Sequence, residues 1–193
     1  MAVYLITGAV RRIIMTVYTF DLLVICDALK DAARRGVEVE LIADHGHTLT
    51  GATMAMVERL EGLRAAGIQV SLTKGVTGNS GIQHSKTLLC DEHVIVGSCN
   101  WTTSSRSNQE MSVLISLNDA GISSWQERLN YLKRHSRPMT DEDVVRGQTV
   151  RDQRRSNSVP AVDRYATARR FSIHSRRARD RSASRDPASA SSA

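Results

Sequence analysis

His84 and Lys86 stand two residues apart in Gln83-His84-Ser85-Lys86-Thr87-Leu88-Leu89-Cys90-Asp91, and Gly97-Ser98-Cys99-Asn100 follows after a short apolar stretch. On a strand, side chains alternate between faces, so His84 and Lys86 point one way and Ser98 and Asn100 share a face of the next strand. An imidazole, an ammonium, a hydroxyl and an amide then converge on one patch, a set suited to a phosphate diester. The imidazole attacks phosphorus and becomes a phosphohistidine, while Lys86 and Asn100 offset the charge gathering on the non-bridging oxygens. Ser98 donates one more hydrogen bond to that cage. This chemistry calls for no metal and no cofactor.

The elements that must position these groups read as a hairpin. Ile82 to Cys90 is the first strand, Asp91-Glu92 the tight turn, and His93 to Ser98 the return, rich in β-branched residues. Trp101-Thr102-Thr103-Ser104-Ser105-Arg106 comes next, and its hydroxyls suit a helix start whose free N–H groups face an anion.

The run His84-x-Lys86-x4-Asp91-x5-Gly97-Ser98-x-Asn100 resembles the signature of the phospholipase D superfamily, with Glu110 where that family often keeps a glutamate. The resemblance implies His84 as nucleophile, Lys86 and Asn100 as the phosphate clamp, Ser98 as their support and Glu110 as the group that orients the imidazole. It gives Asp91 a structural role, and a carboxylate in a turn can accept local backbone hydrogen bonds. It covers roughly residues 10 to 135 and implies a mixed sheet flanked by helices. Duplicated members use two motifs, one histidine attacking and the other protonating the leaving group. Here there is one copy, since His45, His47, His93, His135 and His174 all lack a lysine two positions on. Single-motif relatives, which include a mitochondrial cardiolipin hydrolase and a small bacterial endonuclease, pair two subunits so that their histidines face each other. A homodimer with a composite site is therefore expected.

The rest of the first 150 residues agrees with an α/β fold. Strands are expected at Ile13 to Tyr18, Val37 to Ala43, Ile68 to Leu72 and Glu110 to Ser116. A helix from Leu22 to Arg35 is expected with Asp21 as its cap and Gly36 closing it. Another starts at Thr50 or Thr53, carries Met54, Val57, Leu60 and Leu63 on one face, and ends before Gly67. Asn118 to His135 reads as the last helix, and Lys74 to Gly81 as a loop shaping access to His84.

Composition changes after residue 150. Residues 151 to 193 hold eleven arginines and four aspartates, whereas residues 1 to 150 carry fifteen basic and sixteen acidic side chains. The arginine and serine alternation, with few large apolar residues, predicts a disordered tail over 151 to 193 behind a catalytic domain over 1 to 150. Such a tail suits RNA, an anionic membrane surface or the domain's own substrate.

Cys26, Cys90 and Cys99 match no zinc spacing and cannot all pair within the chain, which points to a reduced intracellular setting, cytoplasmic or peripheral to a membrane. Cys99 is expected to be a buried thiol facing away from Ser98 and Asn100. His45-x-His47 reads as loop surface rather than a metal site. The N-terminal segment has neither the apolar length of a membrane span nor the pattern of an export signal. Its start is abrupt for the family, which points to a truncated gene product.

The motif does not separate a phospholipid headgroup from a nucleic-acid backbone. The near-balanced charge of residues 1 to 150 disfavours a strongly basic groove, so hydrolysis of phospholipids, cardiolipin included, is the leading expectation. The alternatives are a metal-independent endonuclease and a non-catalytic polyanion binder with a vestigial motif.

Overall fold

The apolar, β-branched runs form strands and the amphipathic stretches between them form helices. The computed structural model describes residues 1–50, 55–75 and 81–157. In chain order these are α1 (Ala2–Gly8), β1 (Arg12–Val17), α2 (Leu23–Arg34), β2 (Glu38–Asp44), α3 (His45–Leu49), α4 (Met56–Ala65) and β3 (Gln69–Thr73). The hairpin β4 (Thr87–Cys90) and β5 (His93–Gly97) comes next, then a 3₁₀ turn at Ser104–Ser107. The described chain closes with β6 (Ser112–Ser116), α5 (Asp119–Arg134), β7 (Ser136–Pro138) and α6 (Asp141–Asn157). Two units are distinguished, Met1–Gln153 and Arg154–Ala193, and the sheet belongs to the first.

The seven strands form one sheet in the order β6-β5-β4-β1-β2-β3-β7. β1, β2 and β3 run parallel, while β4, β5, β6 and β7 each pair antiparallel to a neighbour. This is the expected mixed α/β sheet. Alternation along β1 divides the core, because Ile13, Met15 and Val17 join Ile25, Leu29, Leu60 and Leu63 from α2 and α4, whereas Ile14 joins Leu89, Val94 and Leu129 of α5. Lys133 of α5 pairs with the buried Glu40 of β2, tying that helix to the sheet.

Gly36 and Gly67 end α2 and α4 at φ +88° and +81°, as their sequence positions predict. Several expected details change. Leu22 rather than Asp21 caps α2, without a side-chain hydrogen bond, because the Asp21 carboxylate is engaged by Thr103. α4 starts at Met56, and the proposed start at Thr53 and the position of Met54 lie outside the described residues. So does most of the expected access loop, residues 76–80. α5 is not the last element, since β7 extends the sheet beside β3 and α6 follows. α6 lies against α4, where a Cβ on Gly147 would stand 2.5 Å from Val57 Cγ2. The Arg137 guanidinium grips Asp143 of α6 at 2.5 and 2.8 Å and, ahead of any other influence, holds that carboxyl well below the usual range. Residues 151–157 are therefore helical, and the expected tail lies outside the described residues from Ser158 on.

Asp91 is the turn residue expected, but its partners are not local. Its carboxylate accepts the backbone N–H groups of Val10, Arg11 and Arg12 at 2.9, 3.0 and 2.9 Å, clamping the start of β1 to the β4–β5 turn. Burial on its own raises the Asp91 pKa, and the three donors outweigh it to leave the carboxyl lowered. Asp91→Asn keeps tolerance of φ 52° but removes the charge. It should cost about 1.5–3 kcal/mol at neutral pH, the range for hydrogen bonds to a charged group. Because the folded carboxyl is the stronger acid, wild-type stability from this clamp is present above the unfolded pKa of about 3.9 and fades as pH falls. Chemical denaturation of both proteins from pH 7 to pH 3 should show the gap closing.

Candidate active site

Strand direction brings the candidate groups together. β4 runs antiparallel to β1, so its beginning lies at the end where β1 and β2 finish, and β5 returns its own end to the same edge. His84 and Lys86, Ser98 and Asn100, Tyr18 after β1 and His47 after β2 all sit at this edge. In sheets of this kind, crevices beyond the carboxyl ends of parallel strands are where ligands bind.

His84 and Lys86 are not in the strand proper, which begins at Thr87. They lie in an extended lead-in held by side chains. The buried Asp44 carboxylate accepts the backbone N–H of Gln83 at 2.8 Å. Gln83 folds over Ser85, accepting from its N–H at 2.9 Å and its hydroxyl at 2.7 Å while donating to its carbonyl at 3.1 Å. Thr16 joins Ser85 and Thr87 through hydroxyl hydrogen bonds of 3.1 and 2.8 Å. The residues on both sides of His84 are thus fixed while His84 itself stays exposed. Lys86 is only 5% exposed and donates from Nζ to the His84 carbonyl at 2.6 Å. Burial lowers its pKa, with the Glu110 carboxylate acting in the opposite sense.

Ser98 and Asn100 follow the end of β5, also outside a strand. Gly97 donates its N–H to the Lys86 carbonyl at 3.4 Å, which sets the two segments side by side. A Cβ at Gly97 would lie 2.4 Å from the Met111 carbonyl, so only glycine lets β6 come this close. Ser98 donates to Glu110 at 2.5 Å and accepts the Met111 N–H at 3.1 Å. Asn108 donates to the other Glu110 oxygen at 3.1 Å. The Ser98 hydroxyl first and the Asn108 amide second hold the Glu110 carboxyl below its ordinary pKa. Within the single chain the Glu110 carboxylate meets Ser98 and Asn108, and its expected role of orienting the imidazole rests on the resemblance. Asn100 Oδ1 is buried with no hydrogen-bond partner among the described residues.

The expected helix start after Asn100 is a single 3₁₀ turn, too short to offer a helix-terminal anion site. The loop is anchored otherwise. Trp101 O accepts from the N–H groups of Asp21 and Leu22 at 3.0 and 3.2 Å, and Asp21 Oδ1 accepts from Thr103 N and Oγ1 at 2.7 and 3.1 Å. Cys99 is half-buried rather than buried, and its thiol donates to the Asn100 carbonyl at 3.3 Å.

Two residues that the sequence reading gave no part in the site stand beside His84, Tyr18 directly and His47 through it. The Tyr18 ring lies 4.6 Å from the His84 ring and 4.4 Å from that of His47, with Lys86 Nζ 5.4 Å from its centroid. His47, read as loop surface, sits in α3, which Asp44 caps by accepting the His47 N–H at 2.6 Å, and its Nε2 lies 2.9 Å from Thr19 Oγ1. Burial lowers the His47 pKa against the opposing pull of Asp44. The usable signal was position, since Tyr18 and His47 each follow a parallel strand at its carboxyl end.

Residues 3–132 match the domain family described as "Cardiolipin synthase, PLD-like domain". The chain belongs to the phospholipase D superfamily. Its members are capable of phosphodiester hydrolysis. Among solved structures it is similar to Nuc from Salmonella typhimurium, a phospholipase D family member, at 25% identity and a TM-score of 0.64 over 72% of this chain and 89% of that one. It is also similar to NucT from Helicobacter pylori, at 21% identity and a TM-score of 0.63 over 72% and 88% of the two chains. The phosphatidylserine synthase of Haemophilus influenzae Rd KW20 shares the fold at 13% identity and a TM-score of 0.56, over 71% of this chain and 36% of that one. No curated protein matches the sequence.

In this superfamily site the Tyr18 ring, rather than its hydroxyl, makes the contacts to His84, His47 and Lys86. Tyr18→Ala should lower kcat by about 3- to 10-fold, the kinetic equivalent of the ~0.5–1.5 kcal/mol of an aromatic pair. KM should change little, and Tyr18→Phe should restore the rate. Steady-state kinetics on the three proteins checks the split.

Proposed function

We propose that the chain is a nucleic-acid phosphodiesterase working through a phosphohistidine on His84. The observation that carries this reading is the junction of an exposed His84 with the buried Lys86 beneath it, at an edge shared with Ser98, Glu110 and Asn100. His84 attacks phosphorus, an N–P bond forms, and the P–O bond to the leaving hydroxyl breaks. Lys86 and the Asn100 amide meet the growing negative charge, and Ser98, held by Glu110, completes the cage. Water then attacks the phosphohistidine, the N–P bond breaks, and His84 is regenerated.

The similarity to Nuc at 25% identity across most of that chain favours a nucleic-acid backbone over the expected phospholipid. The exposure of His84 agrees with this, since a long polyanion can cross an open edge. Among the described residues no helix is long and apolar enough to cross a membrane, which leaves both substrates open on that count. The arginines of residues 151–193 give the same polyanion a second, salt-dependent contact.

Labelled single-stranded DNA, RNA and cardiolipin vesicles, each offered with a chelator present, separate the readings. Nucleic acid should be cleaved and His84 phosphorylated during turnover, whereas cleavage of cardiolipin alone overturns the proposal. Lys86→Ala and Asn100→Ala should each lose on the order of 3 kcal/mol of transition-state stabilisation, roughly a hundredfold in kcat. Their melting temperatures should move little by comparison.

The leaving oxygen needs a proton, and one motif supplies one nucleophilic imidazole, so the proposal includes a homodimer with a composite site. β6 supports it. This edge strand is exposed at all five positions, with Val113 50% exposed and Met111 just before it 79% exposed, and it starts beside Ser98 and Glu110. An apolar sheet edge next to an incomplete site suits a second copy of the chain. Mixing wild-type and His84→Ala subunits at assay concentration should depress activity below the simple proportion of wild-type chains. Strict proportionality, or a fully active monomer in sedimentation, excludes the shared site.

A further inference from the structure

We infer that the cleft between α2, α4 and the loop after Asn100 is a second phosphate subsite, which holds the nucleic-acid strand beside the bond being cut. The inference rests on the nucleic-acid reading above and names the contact that would make a polynucleotide a better substrate than an isolated diester. The cleft has a volume of about 430 Å³ and draws Arg59 from α4 and Arg106 from the 3₁₀ turn onto one opening. Arg106 makes no side-chain hydrogen bond or ion pair among the described residues. Arg59 makes one long contact, from Nε to the Asp21 carbonyl at 3.5 Å, and pairs with no carboxylate among the described residues.

Two guanidinium groups from elements distant in sequence thus line one opening, neither in an ion pair among the described residues. Each offers paired donors suited to phosphate oxygens. Asp21 also lines the cleft, its Oδ1 held by Thr103, and two guanidinium groups against this one carboxylate leave the opening an excess of positive charge. Leu23, 55% exposed, and the exposed Val24 add an apolar wall against which a sugar or base can rest.

The cleft is joined to the catalytic edge through the backbone. Phe20 bridges Trp101, and Asp21 and Leu22 both donate to the Trp101 carbonyl. Asp21 is three residues beyond Tyr18, and Thr103 three beyond Asn100, a reach of at most about 11 Å. At ~3.4 Å or more per nucleotide, a backbone reach of this size corresponds to a few nucleotides of the same strand. The site is thus placed to read a neighbouring phosphate of the same strand. A small diester without a second phosphate has nothing to leave there.

The test compares wild type with the Arg59→Gln/Arg106→Gln double variant on two substrates, a short single-stranded DNA and bis(4-nitrophenyl) phosphate. Arg134→Gln, on the exposed end of α5, controls for loss of charge in general, and circular dichroism confirms folding. The ratio of kcat/KM for DNA over the small diester should fall about tenfold or more in the double variant, as expected when hydrogen bonds to a charged group are lost. The dependence of log kcat/KM on log salt should become shallower by about one per phosphate contact removed. An unchanged ratio and slope, or an equal effect from Arg134→Gln, overturns the subsite. Anisotropy with labelled DNA separates the two levels of inference. DNA bound through the arginines but never cleaved upholds the subsite and sinks the nuclease reading, whereas cleavage indifferent to the arginines does the reverse.

Discussion

The Asp44 carboxylate is the constraint on which the site depends. It ends β2 in a buried position, where an ionised group is costly unless hydrogen bonds replace its water. Those bonds come from the backbone N–H of Gln83 on one side and of His47 on the other. One side chain therefore fixes the segment that presents His84 and caps the helix that carries His47. The Gln83–Ser85 bonds, the Lys86 contact with the His84 carbonyl and the Tyr18 stack all build on this anchor. Asp91 does the equivalent work at the other end of β1 and β4, so carboxylates accepting main-chain N–H groups brace the catalytic hairpin at both ends.

The sequence made the motif legible because its residue types are chemically restrictive and its spacing fits a hairpin. The fold class was legible for a similar reason. Strands alternating with capped helices leave few arrangements, and Gly36 and Gly67 mark helix ends through conformations most residues avoid. The alternation argument nevertheless placed His84 and Lys86 on a strand, while the structure has an extended lead-in organised by Asp44 and Gln83. The groups meet all the same, because the antiparallel turn at Asp91 returns β5 to the edge where β4 began.

The errors have a common origin in contacts distant along the chain. Asp21 has the composition and position of a helix cap, yet Thr103, remote in sequence, takes its carboxylate. The Glu110 carboxylate takes as a partner Ser98, on the far side of the loop, which the motif spacing did not indicate. Tyr18 and His47 looked ordinary because their importance arises only when β1 and β2 end side by side. β7 and α6 escaped notice because β7 is three residues long and α6 is held by charge pairs and the small Gly147 rather than a broad apolar face. Periodicity detects apolar faces, and it is blind to a helix fastened in this way.

Net charge misled for a related reason. Residues 1 to 150 are almost neutral in sum, which argued against a basic surface. The acidic side chains, however, are not spread evenly. Asp143 is held by Arg137, Asp141 by Arg64, Glu58 by Arg151, Glu40 by Lys133 and Glu92 by Arg11. Asp44 and Asp91 are sequestered by backbone donors. With so many carboxylates already committed, Lys86 lies buried beneath the exposed His84, and Arg59 and Arg106 open onto the adjacent cleft. At physiological ionic strength, fields decay over about 8 Å, so a polyanion responds to these neighbours and hardly at all to the total. The local distribution of charge, set by which pairs the fold brings together, is therefore the property that decides what this edge attracts.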